Sequence, residues 1–218
     1  MFFINFSKPE NFQPFILISL FMSLSLVPIL LTKRKAPNFK KISGMKLKEV
    51  YKSSPFGVVS SFLIGISHSA VFSLIAVYAT SMNFSILEVS IVTFLFAISG
   101  AISQWPIGKL SDVLDRRIVI IYTTFGAALF CFLAIISSGQ MYMPAGLATS
   151  KIFFYICIMC FSFCSLPMFA LIFAHTNDFI PKEKFVAAGA GLQFIFGLGA
   201  ICGPVSYTHL TLPTIRWV

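Results

Sequence analysis

The sequence predicts an all-α membrane protein built on six transmembrane helices, and three observations carry that prediction. The 218 residues are 57% hydrophobic and only 11% charged, with a mean hydropathy of +0.91, whereas a soluble domain carries roughly a quarter charged residues. The apolar residues fall into uncharged blocks of about 20, the length that crosses a hydrocarbon core of about 30 Å at 1.5 Å per residue. Lys and Arg concentrate in every second connection between the blocks, as a chain that crosses back and forth requires. A soluble globule, a disordered tail and a disulfide-rich secreted module are all excluded. The net charge of +9 does not point to nucleic acid, because the basic residues lie between apolar blocks, where anionic lipid headgroups are the nearer partner.

Residues 14–32 form the first block. The preceding MFFINFSKPENFQPF lacks a basic leading region, and TKRK follows in place of a small-residue cleavage site, so this block reads as a span and not a signal peptide. Residues 33–54 form a linker carrying Lys33, Arg34, Lys35, Lys40, Lys41, Lys46, Lys48 and Lys52 together with Pro37 and Gly44. It reads as a solvated or headgroup-lying connection between two bundles, or as plain topogenic charge. The remaining blocks are 55–79, 87–107, 118–138, 152–173 and 185–205. Barrel strands would alternate apolar and polar residues over about 10 positions, and runs such as IVIIYTTFGAALFCFLAII do not. Lys109, Arg116 and Arg117 follow the third block and Lys182 and Lys184 the fifth, while the other connections hold only Lys8 and Lys151. That bias places the N-terminus outside and the 33–54 linker in the cytoplasm. From Ser206 the polar, β-leaning SYTHLTLPTIRWV reads as a non-native tail, 206–218, similar to translated sequencing-adaptor read-through. The natural protein is then expected to continue past Val205.

The connection between the third and fourth blocks reads GKLSDVLDRR, with Gln104, Trp105 and Pro106 before it. Gly108 has no Cβ and so permits a neighbouring helix to come close. Asp112 is placed to meet a helix N-terminus or a cation, and Arg116 follows it by four, the favourable order on a helix. Arg116 and Arg117 suit the anionic inner leaflet. This stretch resembles the G-x-L-[SA]-D-x-x-D/G-R-[RK] loop of the major facilitator superfamily. The last span ends GLGAICGP, with Gly197, Gly199, Gly203 and Pro204, which is similar to that family's glycine-proline signature in the fifth and eleventh helices; Gly199 and Gly203 also form a GxxxG pair. LPMFALIFAHTND with FVAAGAGLQFIFGLGAICGP looks most like the family's YcaD-like branch, so the resemblance covers residues 14–205.

The resemblance implies a partial bundle. Residues 1–32 become an N-terminal segment and the last helix of a first bundle, 33–54 the cytoplasmic central linker, and 55–205 five helices of an incomplete C-terminal bundle. Helices one to five and twelve would lie outside the chain. It implies a secondary active transporter of a small solute, with a proton as a second candidate cargo, inactive without the missing N-terminal bundle. A transport-incompetent scaffold or sensor on the same helices is the alternative. Gly108, Asp112, Arg116 and Arg117 become a conformational gate. The expected setting is the lipid bilayer of a bacterial inner membrane, with no nucleic-acid partner.

An ionisable side chain at membrane depth costs several kcal/mol by insertion scales and usually faces a cavity or a partner. His68 sits mid-span on an arc of Ser61, Gly65, Ser69, Ser73, Ala76 and Thr80. The seventh helix lines the central cavity in the resembled family, so His68 is a candidate to bind substrate or carry a proton; a neutral histidine bonded to a neighbouring helix is the other reading. Gln193 is the second mid-span candidate, with an interhelical hydrogen bond as the competing role. Gln104 reads as structural, and Tyr78 and Trp105 as interfacial aromatics. Cys157, Cys160 and Cys164 have no basic neighbour to hold a thiolate and read as packing residues, like Cys131 and Cys202. His175 and Asp178 lack a third ligand at suitable spacing, which favours a gate-side polar network over a metal site. Asn5 and Asn83 begin glycosylation sequons that carry no meaning in a bacterium. No Walker loop, G-x-S-x-G or H-E-x-x-H occurs, so neither an enzyme nor a cofactor or metal is expected.

Overall fold

The computed structural model describes residues 13–32, 44–137 and 151–211. Lys8, the basic residues of the linker from Lys33 to Lys41, the first sequon and residues 212–218 lie outside these. The described elements are all helical: α1 Gln13–Leu30, α2 Leu47–Ser53, α3 Pro55–Ser81, α4 Ile86–Val113, α5 Arg116–Ser137, α6 Lys151–Ser165, α7 Met168–Asn177 and α8 Phe185–Thr211, with a short 3₁₀ turn at Lys182–Lys184 before α8. Five spans are long and apolar enough to cross a membrane, α6 and α7 together making one; α1 adds a shorter apolar helix. The chain divides into Met1–Lys41 and Ile42–Val218.

In the first unit, α1 carries large apolar side chains all round, Phe15, Phe21, Met22 and Leu30 among them. Its serine hydroxyls are satisfied internally. The hydroxyls of Ser19, Ser23 and Ser25 donate to the carbonyls of Ile16, Ser19 and Met22 at 2.7–2.9 Å, as a helix in hydrocarbon needs.

In the second unit, α3 packs most extensively on α8, and α6 on α4 and α5. Glycines set the α3–α8 contact. A Cβ at Gly65 would run into the Phe196 carbonyl, one at Gly199 into the Phe62 carbonyl, and one at Gly203 into the Ser69 hydroxyl and the Ile66 carbonyl. Gly199 and Gly203 therefore form the close-packing pair expected of them, whereas Gly197 has nothing within 4 Å. Gly65 and Ser69, expected on a cavity-facing arc, lie against α8 instead. Hydroxyls hold α4 to α6: Ser99 donates to the Met159 carbonyl at 2.7 Å and Ser162 to the Phe96 carbonyl, which satisfies both groups away from water. Cys157 is buried among Phe84, Val92, Ala134 and Phe154, consistent with a packing role, and all five cysteines are free thiols.

Three boundaries differ from expectation. The end of the linker, expected as a solvated or headgroup-lying connection, is helical over Leu47–Ser53, and its Leu47 and Val50 press on α8 at Gly191, at 3.3 and 3.4 Å from where a Cβ would stand. The block at 152–173 is not one straight helix. Pro167 has no N–H to give to the Phe163 carbonyl, and its ring crowds the preceding turn, so the chain leaves α6 after Ser165 and starts again at Met168. The last helix does not stop at Val205 but runs on to Thr211.

Candidate functional site

Two polar clusters stand out in the second unit, one at mid-span and one where α4, α5 and α7 end together. The mid-span cluster is built on the α6–α7 break. His68 is the fourteenth of the 27 residues of α3 and is buried, with 8% of its surface exposed. Its Nε2 lies 3.1 Å from the Ser165 carbonyl oxygen and 3.2 Å from the Ser165 hydroxyl. A carbonyl can only accept, so Nε2 carries a hydrogen and donates it. The break at Pro167 makes this carbonyl available to another helix, since the regular ladder is interrupted there. Phe72 and Phe196 present ring edges to the imidazole, with centroids at 6.5 and 6.2 Å. The ring is thus aimed at one polar group within an aromatic setting. Ser61, two turns back on α3, is fully buried, and its hydroxyl has no hydrogen-bond partner among the described residues.

Gln193 does not join this cluster. It is exposed on α8, and the interhelical hydrogen bond expected for it is not formed among the described residues. Ser165 was not among the expected site residues; the signal for it was a proline inside an otherwise unbroken apolar block.

The second cluster contains two of the four expected gate residues, Asp112 and Arg116. The Arg116 guanidinium lies 3.5 Å from the Asp112 carboxylate and 3.4 Å from that of Asp178, so one side chain ties the end of α4 and the start of α5 to the end of α7. The Asp112–Arg116 pair forms, but not along one helix. The chain breaks at Leu114, which is extended at φ −98° and ψ 164°, and Asp115 starts α5 by accepting the Arg117 backbone N–H at 2.9 Å. Arg117 points elsewhere, with its guanidinium 5.9 Å from the Phe179 ring centroid, a cation–π distance. Gly108 has nothing within 4 Å of where a Cβ would stand, so no described helix uses the close approach expected there. Asp178 belongs to the ion-pair network, while His175 is buried between the ring edges of Phe56 and Phe179, at 5.4 and 5.0 Å. Nearby, Lys184 pairs with Glu49 of α2 at 3.7 Å. Among the described residues no three His, Cys, Asp or Glu side chains converge as metal ligands would.

Sequence reasoning also missed a clasp at the other end of the bundle. Ser85 and Glu88 form a reciprocal capping box at the start of α4. Glu88 in turn meets Lys151, the first residue of α6, at 2.5 Å, and the Lys151 ammonium sits 5.0 Å over the Phe84 ring.

Apolar spans with an ionisable side chain at mid-depth, and an ion-pair network confined to helix ends, define a helical integral membrane protein of the multi-span kind. Residues 11–204 match the family described as the Major Facilitator Superfamily, and the chain belongs to that family. A protein of Bacillus subtilis (strain 168) described as the uncharacterized MFS-type transporter YfkF is 27% identical over 172 residues, which cover 75% of this chain and 40% of that protein. The match therefore covers less than half the length of that relative. No solved structure matches it.

Proposed function

We propose that the chain is part of a secondary active transporter that moves a small solute by alternating access between two helical bundles. The observation that carries this reading is the His68–Ser165 pair. A side chain able to donate, accept and titrate is held at mid-span against a discontinuous helix, the arrangement transporters use where substrate or a coupling ion binds. His68 is the binding residue of this proposal; Gln193, exposed on α8, would serve only if a second bundle faced it. In this reading the chain supplies the sixth to eleventh helices, within the YcaD-like branch, and lies in the inner membrane of a bacterium. The end that carries Arg116 faces the cytoplasm, supported by the bias of Lys and Arg toward that end.

Arg116 is then the centre of the gate, because among the described residues it joins Asp112 to Asp178. Separating α4 from α7 at that end would break one or both pairs, so the network favours the arrangement seen here over one in which these ends part.

The test is uptake into proteoliposomes across a panel of small solutes, with and without a proton gradient. It compares this chain with a longer protein in which both six-helix bundles are complete. The longer protein is expected to accumulate at least one solute and the chain alone none. A longer protein that moves no solute and ignores the gradient would support a scaffold or sensor instead.

A further inference from the structure

Two cysteines four residues apart on α6, Cys160 and Cys164, share one small hollow between α4, α5 and α6. It has a volume of about 230 Å³ and is lined by Ser99, Phe130, Met159, Cys160, Phe163 and Cys164. Both thiols are free. They stand tenth and fourteenth among the 27 residues of their span, so the hollow lies at membrane depth. On a helix, residues four apart occupy one face, with Cβ atoms about 5–6 Å from each other. The Cys164 sulfur fills the gap left by Gly126 of α5, 2.9 Å from where a Cβ would stand. Cys157, one turn before Cys160, is not part of the lining and is buried with Phe84, Val92, Ala134 and Phe154 instead. Because both thiols belong to one helix, their spacing holds whatever packs over the hollow.

That spacing decides what the pair can do. A disulfide needs Cβ atoms about 3.5–4.5 Å apart, closer than a regular helix brings residues four apart, so no bridge forms within the pair. A metal ion bonded in line to two sulfurs, at about 2.3 Å each, holds them about 4.6 Å apart, which two such side chains span without bending the helix. Zinc takes four ligands, and the hollow offers two thiols. Charge narrows the choice further. Two thiolates around a monovalent ion leave a net negative charge, which is costly at membrane depth, and no cationic side chain lines the hollow. Around a divalent ion the product is neutral. We propose that Cys160 and Cys164 chelate one soft divalent ion of linear, two-ligand preference, of which mercuric ion is the type. Each thiol loses its proton to water as its sulfur–metal bond forms, so two protons leave and no electron is transferred. The site does not rest on the transport reading.

The 218-residue chain, purified in a neutral detergent and reduced, is titrated with mercuric chloride against a millimolar monothiol competitor, and retained mercury is read by native mass spectrometry. One mercury per chain should be held. Joining two ligands in one site raises affinity by roughly 10²–10⁴ over a single one, so Cys160→Ser and Cys164→Ser should each weaken retention at least about 100-fold. A chain with Cys131, Cys157 and Cys202 all changed to Ser should hold the ion as tightly as wild type. Should that triple variant not fold, the same three changes made singly carry the same expectation. Methylmercury, which takes one thiol, should be competed off every chain. Full retention by Cys160→Ser or Cys164→Ser overturns the proposal, as does loss of the ion on Cys157→Ser, which would make Cys157 and Cys160 the chelating pair. A wild-type chain that yields all its mercury to the monothiol overturns it equally. Because the titration reads binding in detergent, a failure of the transport reading leaves its outcome untouched.

Discussion

Replacing Arg116 by Gln removes both ion pairs of the α4–α5–α7 network at once and leaves two carboxylates facing each other. The structure sets the size of the effect. Arg116 is the more sheltered partner, with 27% of its side chain exposed, against 48% for Asp178 and 71% for Asp112. Exposed pairs contribute roughly 0.2–1 kcal/mol each, and the open setting of Asp112 puts its pair at the low end. Together they amount to about 0.5–1.5 kcal/mol, which shifts a two-state population by roughly 2- to 10-fold. The direct assay is a double-mutant cycle of Arg116→Gln with Asp178→Asn, read by thermal unfolding in neutral detergent. A coupling of about 0.3–1 kcal/mol is expected at 0.1 M salt. It should shrink at 1 M, where the Debye length falls from about 10 Å to about 3 Å. Asp112→Asn should cost less than Arg116→Gln. No coupling at low salt, or a coupling that ignores salt, refutes the network.

Three further outcomes follow from the packing and the charge pattern. Gly199→Leu would drive a side chain into the Phe62 carbonyl and should lower stability by at least about 1–3 kcal/mol, whereas Gly197→Ala and Gly108→Ala enter open space and should be neutral or slightly stabilising, all read by thermal unfolding. Ser85→Ala removes the cap of α4 and should cost about 0.5–2 kcal/mol, measured as exchange of the first-turn amides of that helix. Single cysteines at Lys41, Val113 and Lys182 in an otherwise cysteine-free chain should be shielded from an impermeant thiol reagent added outside intact cells, while one at Asn83 should react. Labelling at Lys41 from outside would reverse the proposed orientation.

The spans were legible because hydrocarbon imposes one rule on every residue in a block, so an uncharged run of the right length is sufficient. Features that depend on which neighbour arrives were legible only in part. Gly199 and Gly203 carry a spacing that predicts close packing, but their counterpart Gly65 falls within a polar arc of the sequence, and nothing local says which face of α3 meets α8. Helix α2 was hidden in a lysine-rich stretch, where only the buried Val50 and the neighbouring Leu47, which touches α8 at Gly191, mark the side that packs. Pro167 was visible inside its block, yet the consequence, a Ser165 carbonyl turned toward His68, needed α3 in place. Asp112 and Arg116 announced a pair through their spacing. Asp178, the partner that gives Arg116 its reach to α7, lies far along the chain and becomes a neighbour only on folding. Gly108 misled for the complementary reason, because a missing Cβ signals permission to approach and not an approach made.

The central claim is that His68 is a cavity group and not merely a bonded core histidine. The measurement is the pH dependence of uptake by a protein carrying both bundles, compared for wild type, His68→Gln and His68→Ala. Gln keeps a donor within reach of the Ser165 carbonyl but cannot titrate. The account predicts that His68→Gln binds solute within a few-fold of wild type and loses the pH dependence, and that His68→Ala transports poorly. Wild-type rates and an unchanged pH profile in both variants would contradict it.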